Sequence, residues 1–251
     1  MIGPSLTIVI PTKDERGNVE PAILRMPDFG VPTEILFADG HSVDGTLDEV
    51  ARVQAAHRDR DIGCFTQEGS GKRAAVFEAF ERAKGDVLLI LDADLTVPPE
   101  ELVAAYRVLA ASPDVFLNGS RFRLPMQRGA MEPPNWLANR VFAFLVRRIT
   151  GAPLTDTLCG TKGLWKRTYL ALRDAAFLRG IDRCGDHELI FGAWNLGCRI
   201  VEHPFRYRAR AWGEAKIARQ KLRGGSAFLL TCLAAAWAKL RRRAPRRPAP
   251  A

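Results

Sequence analysis

The chain has 251 residues and an apolar share of 47%, which suits one large globular domain with a real core, or two small ones. Its five cysteines (Cys64, Cys159, Cys184, Cys198, Cys232) are odd in number and lack C-x-x-C spacing, which argues against a disulfide framework or a zinc site and fits a reducing cytosol. The net charge of +9 belongs to the end of the chain: from Ala215 onward there are ten basic residues and no acid, whereas the rest carries 27 basic against 28 acidic residues.

Leu6 to Ile10 reads as a short strand buried on both faces, too short for a secretory signal and closed by Pro11-Thr12. A polar loop, Lys13-Asp14-Glu15-Arg16-Gly17-Asn18, precedes a helix near Val19 to Met26. Glu34 to Ala38 is the next strand and ends on Asp39. Gly40 to Thr46 is turn chemistry, and Thr46 to about His57 is helical by pattern. Ile62 to Phe65 reads as a short strand. Gly69-Ser70-Gly71-Lys72-Arg73 opens a helix reaching Lys84, stopped by Gly85. Next comes the apolar run Val87 to Leu91, ending abruptly in Asp92 and Asp94. Pro98-Pro99-Glu100-Glu101 starts a helix to about Ala111, with proline and acids where a helix N-terminus favours them.

Further on, Val115 to Leu117 is a strand, and Trp136 to Thr150 an amphipathic helix. Thr155 to Gly163 reads as a polar loop before a helical stretch around Arg167 to Arg173. Asp186 to Leu196 is helical and Arg199 to Glu202 extended. Ala215 to Leu240 reads as helix broken at Gly224-Gly225, and the Arg/Pro/Ala tail from Arg241 as low-complexity and disordered.

Strands alternating with helices imply an α/β fold: a parallel-type sheet with helices on both faces, whose ligands bind outside the carboxyl ends of the strands. Asp39, Asp92, Asp94 and the loop after Pro11 all lie there, forming one acidic crevice. Side chains alternate along a strand, so Asp92 and Asp94 project to the same side where the chain leaves the sheet. Two such carboxylates repel unless a cation lies between them, and Mg²⁺ or Mn²⁺ carrying phosphates suits hard oxygen ligands. The bland alternative is a pair of turn acids after a strand. A haloacid-dehalogenase-type phosphatase would need G-D-x-x-x-D, and Gly185-Asp186 is followed by Ile190 at the required position. A Walker phosphate loop fails as well, because Thr66 and Arg73 stand at two of its fixed positions. Lys72 at a helix N-terminus still suits a phosphate contact.

Ile8-Val9-Ile10-Pro11-Thr12-Lys13-Asp14-Glu15, Ala38-Asp39-Gly40, Leu91-Asp92-Ala93-Asp94-Leu95, Gly119-Ser120-Arg121-Phe122, Asn139-Arg140, Thr155-Asp156-Thr157 with Cys159-Gly160, and Arg210 with Gly213-Glu214-Ala215-Lys216 occur in one order. This set resembles a family 2 glycosyltransferase of the GT-A fold, most of all the polyprenyl-phosphate (dolichol-phosphate) sugar transferases. The resemblance implies a Rossmann-like, mixed but mainly parallel sheet. It also implies a catalytic domain over residues 1–214, with a nucleotide and metal half to about 120 and an acceptor half beyond. By the same resemblance Pro11, Asp14, Glu15, Asp39 and Lys72 contact the nucleotide-sugar donor, Asp92 and Asp94 hold the metal, and Arg121, Arg140 and Arg210 meet donor or acceptor phosphates. Asp156 then sits near the reacting centre. Lys13, Thr96 and Thr161-Lys162 depart from the family's usual residues, which leaves a hydroxyl acceptor, with Asp156 as general base, as the alternative to a lipid phosphate.

Residues 215–240 read as a helix whose apolar stretch, Ala227 to Ala238, is too short to span a bilayer. Basic residues flank it on both sides, so it suits an anionic membrane surface, with a cytoplasmic, peripheral placement. The basic tail 241–251 lacks interleaved aromatics, so no nucleic-acid partner is expected. A nucleotidyltransferase would need a glycine/arginine-rich loop after the first strand, which is absent, and a non-catalytic membrane-binding module is the remaining alternative.

Overall fold

The computed structural model describes residues 3–127, 130–131, 133–177, 185–210, 212–213 and 221–241, with 221–227, 240 and 241 as backbone only. The first half alternates strand and helix as the sequence predicts: β1 (Leu6–Thr12), α1 (Arg16–Leu24), β2 (Thr33–Asp39), α2 (Thr46–Ala56), β3 (Asp61–Thr66), α3 (Gly71–Arg82) and β4 (Val87–Ile90). A single 3-10 turn, Pro99–Glu101, leads into α4 (Leu102–Ala111). Then follow β5 (Val115–Ser120), α5 (Pro133–Thr150), β6 (Lys162–Trp165), α6 (Lys166–Ala175), α7 (Asp186–Asn195), β7 (Arg199–Pro204) and α8 (Lys221–Arg241).

The strands form one sheet in the order β3-β2-β1-β4-β6-β5-β7. β1 pairs in parallel with both β2 and β4, β2 with β3, and β5 with β7, whereas β6 runs antiparallel between β4 and β5. The sheet is therefore mixed and mainly parallel. Because the chain builds outward from β1 to β3 and then returns to place β4 on β1's other side, the order reverses between β1 and β4. A crevice opens at such a reversal, outside the carboxyl ends of the strands.

Alternation along the strands divides the core in two. Leu6, Ile8, Ile10, Leu89 and Leu91 pack under α1, α2 and α4. Val9, Leu88 and Ile90 face the other way, under α3, α5, α6, α7 and α8.

Three expectations are corrected. β4 ends at Ile90, so Asp92 and Asp94 lie in a turn rather than on the strand. Leu91 N–H still donates to Val9 O at 2.9 Å, Leu95 N–H returns to Asp92 O at 3.1 Å, and Leu95 sits at φ +52°. It is turn geometry, not strand alternation, that brings the two carboxylates together. The stretch expected to be loop before Arg167 contains β6, and α8 runs through Gly224-Gly225 without a break. Glu214, Ala215, Lys216 and the tail beyond Arg241 lie outside the described residues.

Candidate active site

The crevice is built first from the loops after β1, β2 and β4. Asp14 (φ +47°), His41 (φ +62°) and Leu95 (φ +52°) each hold a left-handed backbone in one of these loops, a conformation uncommon for residues other than glycine and frequent at functional loops. Cross-links hold the first two loops together. Asp14 N–H donates to Ser42 Oγ at 2.8 Å, its carboxylate accepts from Val43 N–H at 2.8 Å, and Lys13 Nζ donates to Gly40 O at 2.8 Å. Lys13 is thus a strut between loops. Pro11 sits at the end of β1 in register with Ala38.

Asp39 is 1% exposed; its Oδ2 accepts from Ser42 N–H at 3.1 Å, and Oδ1 has no hydrogen-bond partner in the described structure. A buried carboxylate oxygen without a donor is costly on its own, and this one is open to an N–H or O–H donor from outside the protein.

Asp92 and Asp94 are each met by a cation. Lys72, near the start of α3, bonds Asp92, and Arg210 Nη2 donates to Asp94 Oδ2 at 2.8 Å. Burial raises the Asp92 carboxyl, but the charge of Lys72, aided by Lys162 and Arg121, brings it below the ordinary range. Burial and the neighbouring Asp92 charge push the Asp94 carboxyl up despite Arg210. The pair is thus close enough to repel, and both are hard oxygen donors, so they fit Mg²⁺ or Mn²⁺, a metal that retains water or phosphate oxygens in the rest of its shell. Among the described residues, no group of three or more His, Cys, Asp or Glu side chains could hold a metal. Arg210 Nη1 also donates to Glu15 at 2.8 Å, so the segment after β7 is tied across the mouth of the crevice. Beside it, Trp212 lies against the backbone of Gly17, where a Cβ would collide with the indole ring.

The second half of the site centres on Asp156, which is fully buried. Its Oδ2 accepts from Arg121 N–H at 3.0 Å and Arg121 Nε at 2.7 Å. Its Oδ1 accepts from Arg121 Nη2 at 3.0 Å, Asn139 Nδ2 at 2.6 Å, and the N–H groups of Leu158 and Cys159 at 3.0 and 3.1 Å. Burial raises this carboxyl, and the Arg121 charge with these hydrogen bonds overcomes it, leaving the group below its ordinary value. Arg121 also lies over the Tyr207 ring, 5.1 Å from its centroid.

The sequence-predicted residues therefore gather into connected groups: Glu15, Asp94 and Arg210; Asp92 and Lys72; Asp156 and Arg121. Arg140 is not among them. It is exposed on α5, over the Trp136 ring at 5.4 Å, and its neighbour Asn139 makes the inward contact. Three further residues escape sequence reasoning. Asn139 fixes Asp156. Glu202, 2% exposed in its side chain, receives Asp156 N–H at 3.1 Å and pairs with Arg123 at 2.6 Å. Lys162, wholly buried, pairs with Asp186 at 3.1 Å. Asn139 left a signal as a member of the resembling set and Lys162 as a departure from it, whereas Glu202 left none.

Among known proteins, the chain is 25% identical over 234 residues to a dolichol-phosphate mannosyltransferase of Saccharomyces cerevisiae, covering 84% of this chain and 80% of that protein. It is 25% identical over 233 residues to an undecaprenyl-phosphate 4-deoxy-4-formamido-L-arabinose transferase of Pectobacterium carotovorum, covering 91% and 67%. In shape it matches a mannosyltransferase of Pyrobaculum calidifontis in complex with GDP-mannose and Mn²⁺, with a TM-score of 0.61, 19% identity and coverage of 98% of this chain and 78% of that one. It likewise matches the glucosyl-3-phosphoglycerate synthase of Mycobacterium tuberculosis with Mn²⁺ and UDP, with a TM-score of 0.65, 16% identity and coverage of 94% and 81%. What these two structures share with the chain is the GT-A fold. The model of glycosyl transferase family 2 matches residues 7–171, two-thirds of the chain, and the protein belongs to that family of glycosyltransferases.

Proposed function

We propose that the enzyme moves a sugar from a nucleoside-diphosphate sugar to a polyprenyl phosphate, in one inverting displacement that depends on Mg²⁺ or Mn²⁺. The state of Asp156 carries this reading. A hydroxyl acceptor needs a general base, and a retaining double displacement needs a carboxylate nucleophile. Asp156 accepts six hydrogen bonds from the protein, three of them from Arg121 through its backbone N–H and two guanidinium nitrogens, so its basicity and lone pairs are already committed. A phosphate acceptor needs neither service, since its second ionisation lies near pH 6 and the oxyanion is present at neutral pH. The two relatives named for polyprenyl-phosphate chemistry point the same way.

In this mechanism the acceptor oxyanion forms the new bond to the anomeric carbon as the bond from that carbon to the diphosphate oxygen breaks, and the diphosphate leaves with the electron pair. Asp92 and Asp94 would hold the divalent cation, which would supply charge neutralisation for the leaving group. Lys72 and Arg210, now on those carboxylates, are cations suited to the same diphosphate. Asp39 accepts from the base or ribose with its unpaired oxygen. Asp156 acts as a positioning residue: it fixes the Arg121 guanidinium, a planar donor suited to the acceptor phosphate. A lipid acceptor also places the work at a membrane surface, where α8 and the basic tail provide attachment.

The test is a screen of UDP-, GDP- and dTDP-sugars for Mn²⁺-dependent binding, followed by turnover with a polyprenyl phosphate and with soluble hydroxyl acceptors. Metal-dependent binding and turnover on the lipid phosphate are expected. Turnover confined to a hydroxyl acceptor would overturn the lipid assignment, and absence of metal-dependent binding to any nucleotide sugar would overturn the mechanism.

A further inference from the structure

A helix that packs through one face ordinarily shows water a charged or polar opposite face. α8 does not. Phe228, Cys232 and Ala235 are buried in the core, and yet Leu229, Leu230, Leu233 and Trp237 on the other side are 51–66% exposed. α5 repeats the pattern. Its Ala143, Val146 and Ile149 are buried, while Leu137, Val141 and Phe144, at i, i+4 and i+7, are 49–60% exposed, with Trp136 beside them at 43%.

These two helices hold eight of the twelve large apolar side chains exposed among the described residues. They lie side by side: Phe142 of α5 and Phe228 of α8 have ring centroids 3.9 Å apart, and Lys239 donates to Ile149 O at 2.6 Å. An apolar concentration of this kind marks an interaction surface.

Charge identifies the partner. α5 contains Arg140, Arg147 and Arg148, α8 contains Lys221, Arg223, Lys239 and Arg241, and neither helix contains an acid. Four more arginines follow in sequence, Arg242, Arg243, Arg246 and Arg247, among prolines and alanines and with no acid. Two copies of such a face would repel each other, whereas an anionic bilayer satisfies both the apolar and the basic groups. Among the described residues no helix is long and apolar enough to cross a membrane.

We infer that α5 and α8 together form a two-helix platform that lies in the surface of an anionic lipid bilayer. α5 is the member that couples this surface to the chemistry, because Asn139 on its buried side bonds Asp156. This extends the reading of a lipid-phosphate acceptor, which placed only α8 and the tail at the membrane.

The experiment floats the full-length protein with vesicles of phosphatidylcholine alone and of phosphatidylcholine with phosphatidylglycerol. The variants are Val141→Glu/Phe144→Glu on α5 and Leu230→Glu/Leu233→Glu on α8, with circular dichroism melting to verify that these exposed substitutions leave the fold intact. Binding to the anionic vesicles is expected to fall roughly tenfold or more in each double variant. Turnover on a short, water-soluble isoprenyl phosphate should be unchanged, and turnover on long-chain acceptor in vesicles should fall with binding. Undiminished flotation of the folded α5 variant would overturn the platform, as would dimers of the parent chain, seen by light scattering, that the same substitutions dissolve. Vesicle binding that obeys these expectations without turnover on any isoprenyl phosphate would support the platform and refute the acceptor assignment instead.

Discussion

Arg210 donates to Asp94 across 116 residues of chain, at 2.8 Å, and its other terminal nitrogen reaches Glu15 at the same distance. The guanidinium stands on a carboxylate that would hold the cation, while bonding the loop that follows β1. An arriving Mn²⁺ must therefore compete with it. Arg210→Ala should tighten Mn²⁺ binding in the absence of nucleotide, measured by titration calorimetry. It should also lower kcat/KM by about 10²–10³-fold, the usual cost of removing one donor to a developing anion. Weaker Mn²⁺ binding in the variant would show that Arg210 organises the carboxylates rather than competing for them.

The Asp156–Arg121 pair makes a prediction about pH. Asp156 titrates below its ordinary value in the fold, so its contribution to stability is complete above the unfolded carboxyl pKa of about 3.9 and is lost as pH falls through the lower folded value. Asp156→Asn leaves Arg121 without its charge partner, and breaking a buried pair costs about 3–5 kcal/mol. Denaturant unfolding should show that deficit at pH 7 and a gap between the two proteins that begins to narrow below pH ~4, where the unfolded parent carboxyl takes up a proton that the folded one still lacks, and stops narrowing only below the lower folded value. A gap that stays constant down to acid pH would mean the carboxylate charge is not what Asp156 contributes.

Much of this site could be read from the chain because its first half uses local signals. The apolar run before Asp92, the polar loop after Ile10 and the glycine after Asp39 each announce a strand end, and three parallel strand ends must open on one side of a sheet. The second half is assembled from distant pieces. β6, Lys-Gly-Leu-Trp, is only four residues long and carries no alternation; it exists because β4 and β5 offer it antiparallel partners. Glu202 looks like an ordinary polar residue of a partly exposed strand until Thr155 and Asp156 are folded onto it. For the same reason Arg140 was the more attractive member of Asn139-Arg140 in sequence: charge is visible in a string of letters, and the direction of a helix face is not. The pairing of Asp92 and Asp94 was legible, but its cause was a turn, which strand alternation cannot foresee.

Lys162 is wholly buried on β6, with Asp186 at 3.1 Å and Cys159 O as its partners, and its charge helps to keep Asp92 ionised. Lys162→Met keeps the length of the side chain but leaves Asp186 buried without compensation. A loss of about 3–5 kcal/mol in denaturant unfolding is expected. The double variant Lys162→Met/Asp186→Leu should recover a large part of it, since replacing both partners by apolar groups removes the stranded charge. Absence of recovery would mean that the ammonium acts chiefly on Asp92 and the Cys159 carbonyl, not on Asp186.

Gly160 offers the sharpest separation of site from fold. A Cβ at this position would overlap both the Asp92 carboxylate and the Lys72 ammonium, so the backbone of the loop after Asp156 passes against the ion pair with no room for a side chain. Gly160 has no strained backbone to relieve, and the atoms it touches are the ends of partly exposed side chains. Gly160→Ala should therefore leave thermal unfolding nearly unchanged while forcing Asp92 and Lys72 aside. Mn²⁺-dependent nucleotide-sugar binding is expected to weaken by roughly tenfold or more, about 1.4 kcal/mol for each factor of ten. Calorimetry of the nucleotide with and without Mn²⁺ distinguishes the two carboxylate roles: a loss confined to the metal-dependent part assigns the damage to Asp92. An equal loss without metal would place Gly160 against the nucleotide itself.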